Sequence, residues 1–329
     1  MEEQSKLYRT TSFKKFLRSK AFMLLIMIVV IVIFFTILSG GRYISMFSLR
    51  NTINSMVVTS FLTLGAAFLM ISGNVDLSTA QIATIAGVLM AIFINSGMLW
   101  WLAVILVFII CALIGLINSV LINELRFIPF VATMSVSYVV QGAMYLLTSG
   151  RATDVNEPHL TWLGTYRVFN NEIPLNVVLT FVVFAVYGVI LAKTRFGKSL
   201  YMIGGNPAAA RLSGLKPKKM WYALFINNAI LGSAGGMLQA ARLKSATTSG
   251  IANGMFSGMT GAILGGVSFG GGSGGMGGAF IGLIMINAFN NGLTILGIDP
   301  YWQTAASGAL LLIALTFDYF NNKRLNKMT

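Results

Sequence analysis

The sequence predicts an all-α fold, a polytopic transmembrane helical bundle of about ten spans with a re-entrant glycine-rich turn and a short helix on the cytoplasmic face. Three observations predict it. Of 329 residues, 56% are hydrophobic and only 10% charged, against about 25% charged in an ordinary soluble domain. Apolar runs near the roughly 20 residues that cross a bilayer recur along the whole chain. Lysine and arginine, which leave a net charge of +14, collect in the segments between those runs. That placement turns the charge away from a nucleic-acid reading. The single cysteine, Cys111, lies in an apolar run and has no internal disulfide partner, and the lone histidine, His159, excludes a His-rich metal cluster.

The first run, Phe22 to Leu38, follows a basic segment (Lys14, Lys15, Arg18, Lys20). No convincing small-x-small cleavage site follows it, so it reads as a retained span. The other spans fall at 52–72, 78–96, 99–122, 128–148, 174–192, 220–241, 253–268, 278–297 and 301–318. The eighth is short and weakened as a helix by Gly254, Gly258, Gly261, Gly265 and Gly266. Residues 22–318 thus form the membrane domain, between an N-terminal tail at 1–21 and a C-terminal tail at 319–329.

Orientation follows from the Lys/Arg bias. With both termini in the cytoplasm, the inner segments carry 17 basic residues and the outer segments six (Arg42, Arg50, Arg151, Arg167, Arg242, Lys244). Two segments exceed a plain turn, an external one at 149–173 and a cytoplasmic one at 193–219. Five spans on each side of the external segment suggest an inverted repeat. The two halves show no sequence match.

Within the cytoplasmic segment, Asn206-Pro207 reads as an N-cap followed by the first helical position. Ala208 to Leu212 are good helix formers, and Gly214 suits a C-terminal cap. So short a helix is unstable alone in water and needs a surface to dock on. The alternative is a solvated loop. The run from Gly265 to Gly278 formally contains G-x-G-x-x-G but has no βαβ context, and it lacks a P-loop lysine. It reads as a tight re-entrant turn, or as close helix packing.

Asp76, in Ile71-Ser72-Gly73-Asn74-Val75-Asp76-Leu77-Ser78, has two readings. It either caps the following helix or lines protein or water at membrane depth. Asn118, Gln141, Asn227, Asn228, Gln239, Asn287, Asn290, Asn291 and Gln303 lie within spans. Such amides either bond between helices or, with Asn74 and Asp76, line a path for an uncharged polyhydroxylated solute. No nucleophile–His set, carboxylate pair or metal-ligand cluster is present, and no nucleotide motif. These absences argue against an enzyme, and if the chain drives transport uphill, the energy enters through another chain.

Several stretches in order resemble one family. They are Val75-Asp76-Leu77-Ser78, Ile128-Pro129-Phe130-Val131-Ala132-Thr133, Tyr145-Leu146-Leu147-Thr148-Ser149-Gly150 and Thr194-Arg195-Phe196-Gly197. Gly204 to Gly214, Ala240-Ala241-Arg242-Leu243, Leu264-Gly265-Gly266 and Asn290-Asn291-Gly292-Leu293 continue the series. Over about 50–325 the chain resembles the membrane permeases of bacterial sugar-importing ABC transporters, the group of the ribose, galactose and autoinducer-2 importers. The resemblance implies a multi-pass permease of the bacterial inner membrane that imports a monosaccharide or similar polyol. Nucleoside or branched-chain amino-acid import is the alternative, and a stand-alone channel or secondary carrier a more distant one.

The resemblance also implies a second permease, the same or paralogous, a cytoplasmic ATPase that holds ATP and Mg, and an external solute-binding protein. No cofactor is implied in this chain. The cytoplasmic segment becomes the coupling region, with Gly204, Gly205, Asn206, Ala209, Arg211, Leu212 and Gly214 meeting the ATPase. Arg151, Arg167 and Arg242 become candidates for meeting the binding protein. Two departures stand out. Thr79-Ala80 replaces the usual Val-Gly, and Met255 and Ser257 stand where acidic residues are usual.

Overall fold

The computed structural model describes residues 20–168, 173–251 and 254–325. Residues 1–19 and 326–329 of the two predicted tails lie outside them. Among the described residues there are thirteen α-helices. The first five are α1 (Lys20–Leu38), α2 (Met46–Ile71), α3 (Thr79–Asn95), α4 (Trp100–Asn123) and α5 (Pro129–Thr148). The next four are α6 (Pro158–Thr165), α7 (Leu175–Lys193), α8 (Arg195–Gly205) and α9 (Pro207–Leu212). The last four are α10 (Pro217–Leu243), α11 (Gly254–Leu264), α12 (Met276–Ile295) and α13 (Pro300–Leu325). Five of them, α2, α4, α5, α7 and α12, are long and apolar enough to cross a membrane, and α1 and α3 are shorter apolar helices.

The helices are apolar on their outer faces as well as in the core, as a membrane bundle requires. On α4, Ile105, Ile109, Leu113 and Ile117 recur every four residues and are all exposed. The opposite face of α4 buries Ala103, Val107, Cys111, Gly115 and Asn118.

Helix α10 packs against α2, α3 and α4. Small residues admit all three neighbours. A methyl added at Gly236 would fall on the Ala83 carbonyl of α3, and one at Gly235 would lie 3.0 Å from Phe61 Cβ of α2. Gly115 of α4 returns the approach, with its missing methyl 2.8 Å from Ala229 Cβ. Helices α11 and α12 meet the same way, Gly261 and Gly265 lying backbone to backbone against Gly282 and Gly278. Without a hydrophobic drive between helices in lipid, such close backbone approach supplies the packing energy.

Helix α11 has 11 residues, a rise of about 16 Å, against a hydrocarbon core of about 30 Å. The predicted eighth span, 253–268, is therefore shorter than expected at its C-terminal side, ending at Leu264, and its first predicted residue, 253, lies outside the described ones.

Contacts separate the molecule into two ends. At one, the loop end, β1 (Thr153–Asp154) pairs antiparallel with β4 (Ser245–Ala246), and Asn95 Nδ2 donates to the Asp154 carbonyl at 2.9 Å. Trp100 lies against His159 there, ring centres 5.7 Å apart. A second pair joins β2 (Arg167–Val168) to β3 (Ile173–Pro174). At the other, the arm end, Lys218 donates to Glu124 at 2.9 Å, and the 193–219 segment packs on the end of α2. The predicted external loop thus contains a helix, α6, that plain loop reasoning does not give. Its start carries Glu157 as N-cap, accepting from His159 N, and Pro158 at the first position.

Candidate functional site

The arm between α7 and α10 holds two helices, of which the sequence argument found only the second. Thr194 caps α8, its hydroxyl accepting from Gly197 N at 3.2 Å. Leu200 and Ile203 are buried, and Gly197 lies against the Leu191 backbone at the end of α7. The signal was present, since Phe196, Leu200 and Ile203 recur at helical spacing.

Asn206 then caps α9 as expected. Its Oδ1 accepts from the backbone N–H groups of Ala208 and Ala209, both at 3.0 Å, and Pro207 occupies the first helical position. At the far end Gly214 takes φ +84°, and Leu215 N donates back to the Ala210 carbonyl at 3.0 Å. Only Ala210 of this helix is buried. Ala209, Arg211 and Gly205 are exposed, and Leu212 is 92% exposed.

Where α8 ends, the arm meets the bundle with backbone packed on backbone as well as through side chains. Gly204 lies against the Ile71 carbonyl and the Gly272 amide, and Gly272 N donates to that same Ile71 carbonyl at 2.9 Å. Tyr201 donates its hydroxyl to the Gly274 carbonyl at 2.8 Å, and Trp221 Nε1 reaches the Ser72 carbonyl at 3.3 Å.

Beyond that contact lies a buried polar network. Asp76 Oδ1 accepts from Ser78 N at 2.8 Å and Ser78 Oγ at 2.6 Å, and its Oδ2 accepts from Asn228 Nδ2 at 2.9 Å. Asn118 Nδ2 donates to Ser78 Oγ at 2.7 Å, and Leu77 N donates to Thr133 Oγ1 at 3.0 Å. The carboxylate therefore organises the turn into α3 and links it to α4 and α10, while Thr133 adds α5. Buried polar groups at this depth need such partners. Asn74 is buried in the same turn.

The other amides are distributed elsewhere. Asn287 accepts from Thr59 at 3.1 Å and Asn291 donates to Ser48 at 3.0 Å, both joining α12 to α2. Asn290 accepts from Ser307 of α13 at 3.4 Å. Gln141 is half-buried on α5. Asn227 accepts from Tyr187 at 2.5 Å and, with Phe68 and Phe196, lines a cleft of about 350 Å³ near the arm end. Gln239 borders a hollow of about 20 Å³ between α3 and α10, with Thr84 and Thr247, near the loop end. That volume holds about one water. Of the three arginines, Arg151 is exposed, Arg167 is half-buried in β2, and Arg242 closes α10 beside Gly164 of α6. All three belong to the loop end.

A multi-pass helical membrane protein with an exposed, capped arm between α7 and α10 is the class these features define. A family model described as branched-chain amino acid transport system / permease component matches residues 48–315, and the chain belongs to that family. It is 30% identical over 283 residues to the ribose import permease protein of Bacillus subtilis, covering 84% of this chain and 86% of that one. With the galactose/methyl galactoside import permease protein of Haemophilus influenzae it shares 29% over 293 residues, 84% of this chain and 87% of that one. The L-arabinose transport system permease protein of Escherichia coli is 26% identical over 259 residues, 79% of this chain and 78% of that one. No solved structure matches the chain.

Proposed function

We propose that this chain is the membrane permease of an ATP-driven importer of a monosaccharide or similar polyol in the bacterial inner membrane. The observation that carries it is likeness to three sugar permeases over about four-fifths of the chain. Its mechanism is alternating access across about ten spans, both termini in the cytoplasm, with the glycine turn re-entrant. A second permease, an external binding protein and a separate ATPase holding ATP and Mg complete the assembly. Helix α9 is the coupling helix. Leu212 and Arg211 enter the ATPase surface, supported by Ala209, Gly205 and the Asn206 cap, because they stand exposed beyond the bundle. Gly214 ends that helix and Gly204 seats its base.

Of the path candidates, Asn227 borders the cleft of about 350 Å³, so solute contact is assigned first to it. Asp76 and Asn118 serve through their network. Arg151, Arg167 and Arg242 form a basic rim for an acidic face of the binding protein.

The family description itself favours branched-chain amino acids as a second reading. It fits less well, because a zwitterion wants charged partners and the carboxylate of Asp76 is already engaged by Ser78 and Asn228. Proteoliposomes holding the permease, its ATPase and its binding protein test both. Uptake of labelled ribose, galactose or arabinose, abolished by deleting 204–214 with insertion intact, is the expected result. Uptake of leucine but no sugar would transfer the assignment, and normal coupling after the deletion would defeat it.

A further inference from the structure

We propose that Gly204 is the positioning residue that transmits ATPase-driven motion from the arm into the bundle, through a junction of packed backbone that the Tyr201–Gly274 hydrogen bond clamps. The inference rests on the reading of α9 as the ATPase contact and asks how a push on α9 reaches the helices. Four segments meet at one place. The last turn of α8 brings Gly204, the end of α2 brings Ile71, Ser72 and Gly73, the glycine loop brings Gly271 to Gly274, and the start of α10 brings Trp221. A methyl at Gly271 would lie 2.7 Å from the Gly204 carbonyl and 2.9 Å from Gly73 Cα. A methyl at Gly204 would strike the Ile71 carbonyl and lie 2.6 Å from Gly272 N.

Side chains absorb a displacement by changing rotamer, whereas backbone atoms in contact do not. A shift of α8 must therefore carry residues 71–73 with it or break the Gly272–Ile71 hydrogen bond. Three residues past Gly73 stands Asp76, whose carboxylate holds the turn into α3 and, through Asn228, holds α10. Asn118 on α4 joins through Ser78. The junction thus places the arm in mechanical series with the helices that surround α10. Gly204 sits in a helix, where alanine is a better former than glycine. Alanine there acts through the collision alone.

The experiment uses the reconstituted importer and reads ATPase co-purification, basal ATPase, solute-stimulated ATPase and uptake. Gly204→Ala is expected to retain the ATPase but to lower solute stimulation and uptake together by roughly tenfold or more. Gly277→Ala, a helical glycine of α12 whose added methyl meets open space, is expected to behave as wild type. Wild-type stimulation in Gly204→Ala overturns the proposal and leaves the importer reading standing. Loss of the ATPase from Gly204→Ala also overturns it, because Gly204 would then serve docking. Should Gly204→Ala fail to insert, Tyr201→Phe decides, since it removes only the bond to Gly274. A several-fold drop in the ratio of stimulated to basal ATPase supports the junction, and an unchanged ratio overturns it. Absence of any ATPase on the wild-type chain overturns both readings.

Discussion

Asp76 is the costliest kind of residue for a bilayer to hold, and its surroundings show how the cost is met. Three donors from two residues converge on its carboxylate: the Ser78 amide, the Ser78 hydroxyl and the Asn228 amide group. Asp76→Asn replaces one acceptor oxygen with a donor, so at least one of these groups loses its partner. The expected result is a stability loss of about 1–3 kcal/mol, read as a lower midpoint of thermal unfolding in detergent. An unchanged midpoint with an altered uptake KM would instead make Asp76 a solute contact. Asn227→Leu is the converse case. Its amide faces a cleft and a single tyrosine hydroxyl, so uptake KM should rise while the unfolding midpoint moves little. Sequence alone could offer both roles for each residue. A buried amide and a path-lining amide share a composition, and only the partners tell them apart.

Helix ends were the most legible elements. Asn206, Pro207 and Gly214 state a start and a stop through local chemistry, and the capped helix lies where they put it. Asn206→Ala removes the acceptor for two amides, a loss of about 0.5–2 kcal/mol for the helix. Hydrogen exchange at 208–213 should accelerate, and solute-stimulated ATPase should fall with it. Helix α8 is legible through Thr194 as a cap and through Phe196, Leu200 and Ile203 at helical spacing, though its run is too short and too interrupted by polar residues to stand out as a span. Helix α6 hid likewise behind Glu157-Pro158. The short α11 was doubtful in sequence because glycine weakens a helix, and no local rule shows that those glycines face others on α12.

At the foot of α4 and α10, Lys218 holds the Glu124 carboxyl below the usual carboxylate range. A lowered acid pKa contributes stability above the unfolded-state value, and that contribution is lost as pH falls through the lowered one. Both groups are about half exposed, so the effect at neutral pH is small. Glu124→Gln should flatten the acid limb of the unfolding curve and lower the unfolding midpoint only slightly at pH 7, where the lost contribution is fully present.

At the scale of the whole molecule, contacts gather the 149–173 segment and the end of α10 at the loop end, and Glu124, Lys218 and the 193–219 segment at the arm end. Cys111 is the single cysteine and is fully buried, so an introduced thiol reports without background. Gly205→Cys, in open space on the arm, should label from the cytoplasmic side only, and Ala152→Cys from the outer side only. Labelling of both from one side would defeat the assigned topology. The glycine seam between α11 and α12 has a further consequence, in genetics rather than mechanics. A clash between side chains can be relieved by shortening the opposite residue. Opposite Gly265 stands Gly278, with nothing left to remove. A damaging Gly265→Ala should therefore yield no suppressor at 278, and restored growth should come only from reversion or from residues elsewhere that let the two helices stand further apart.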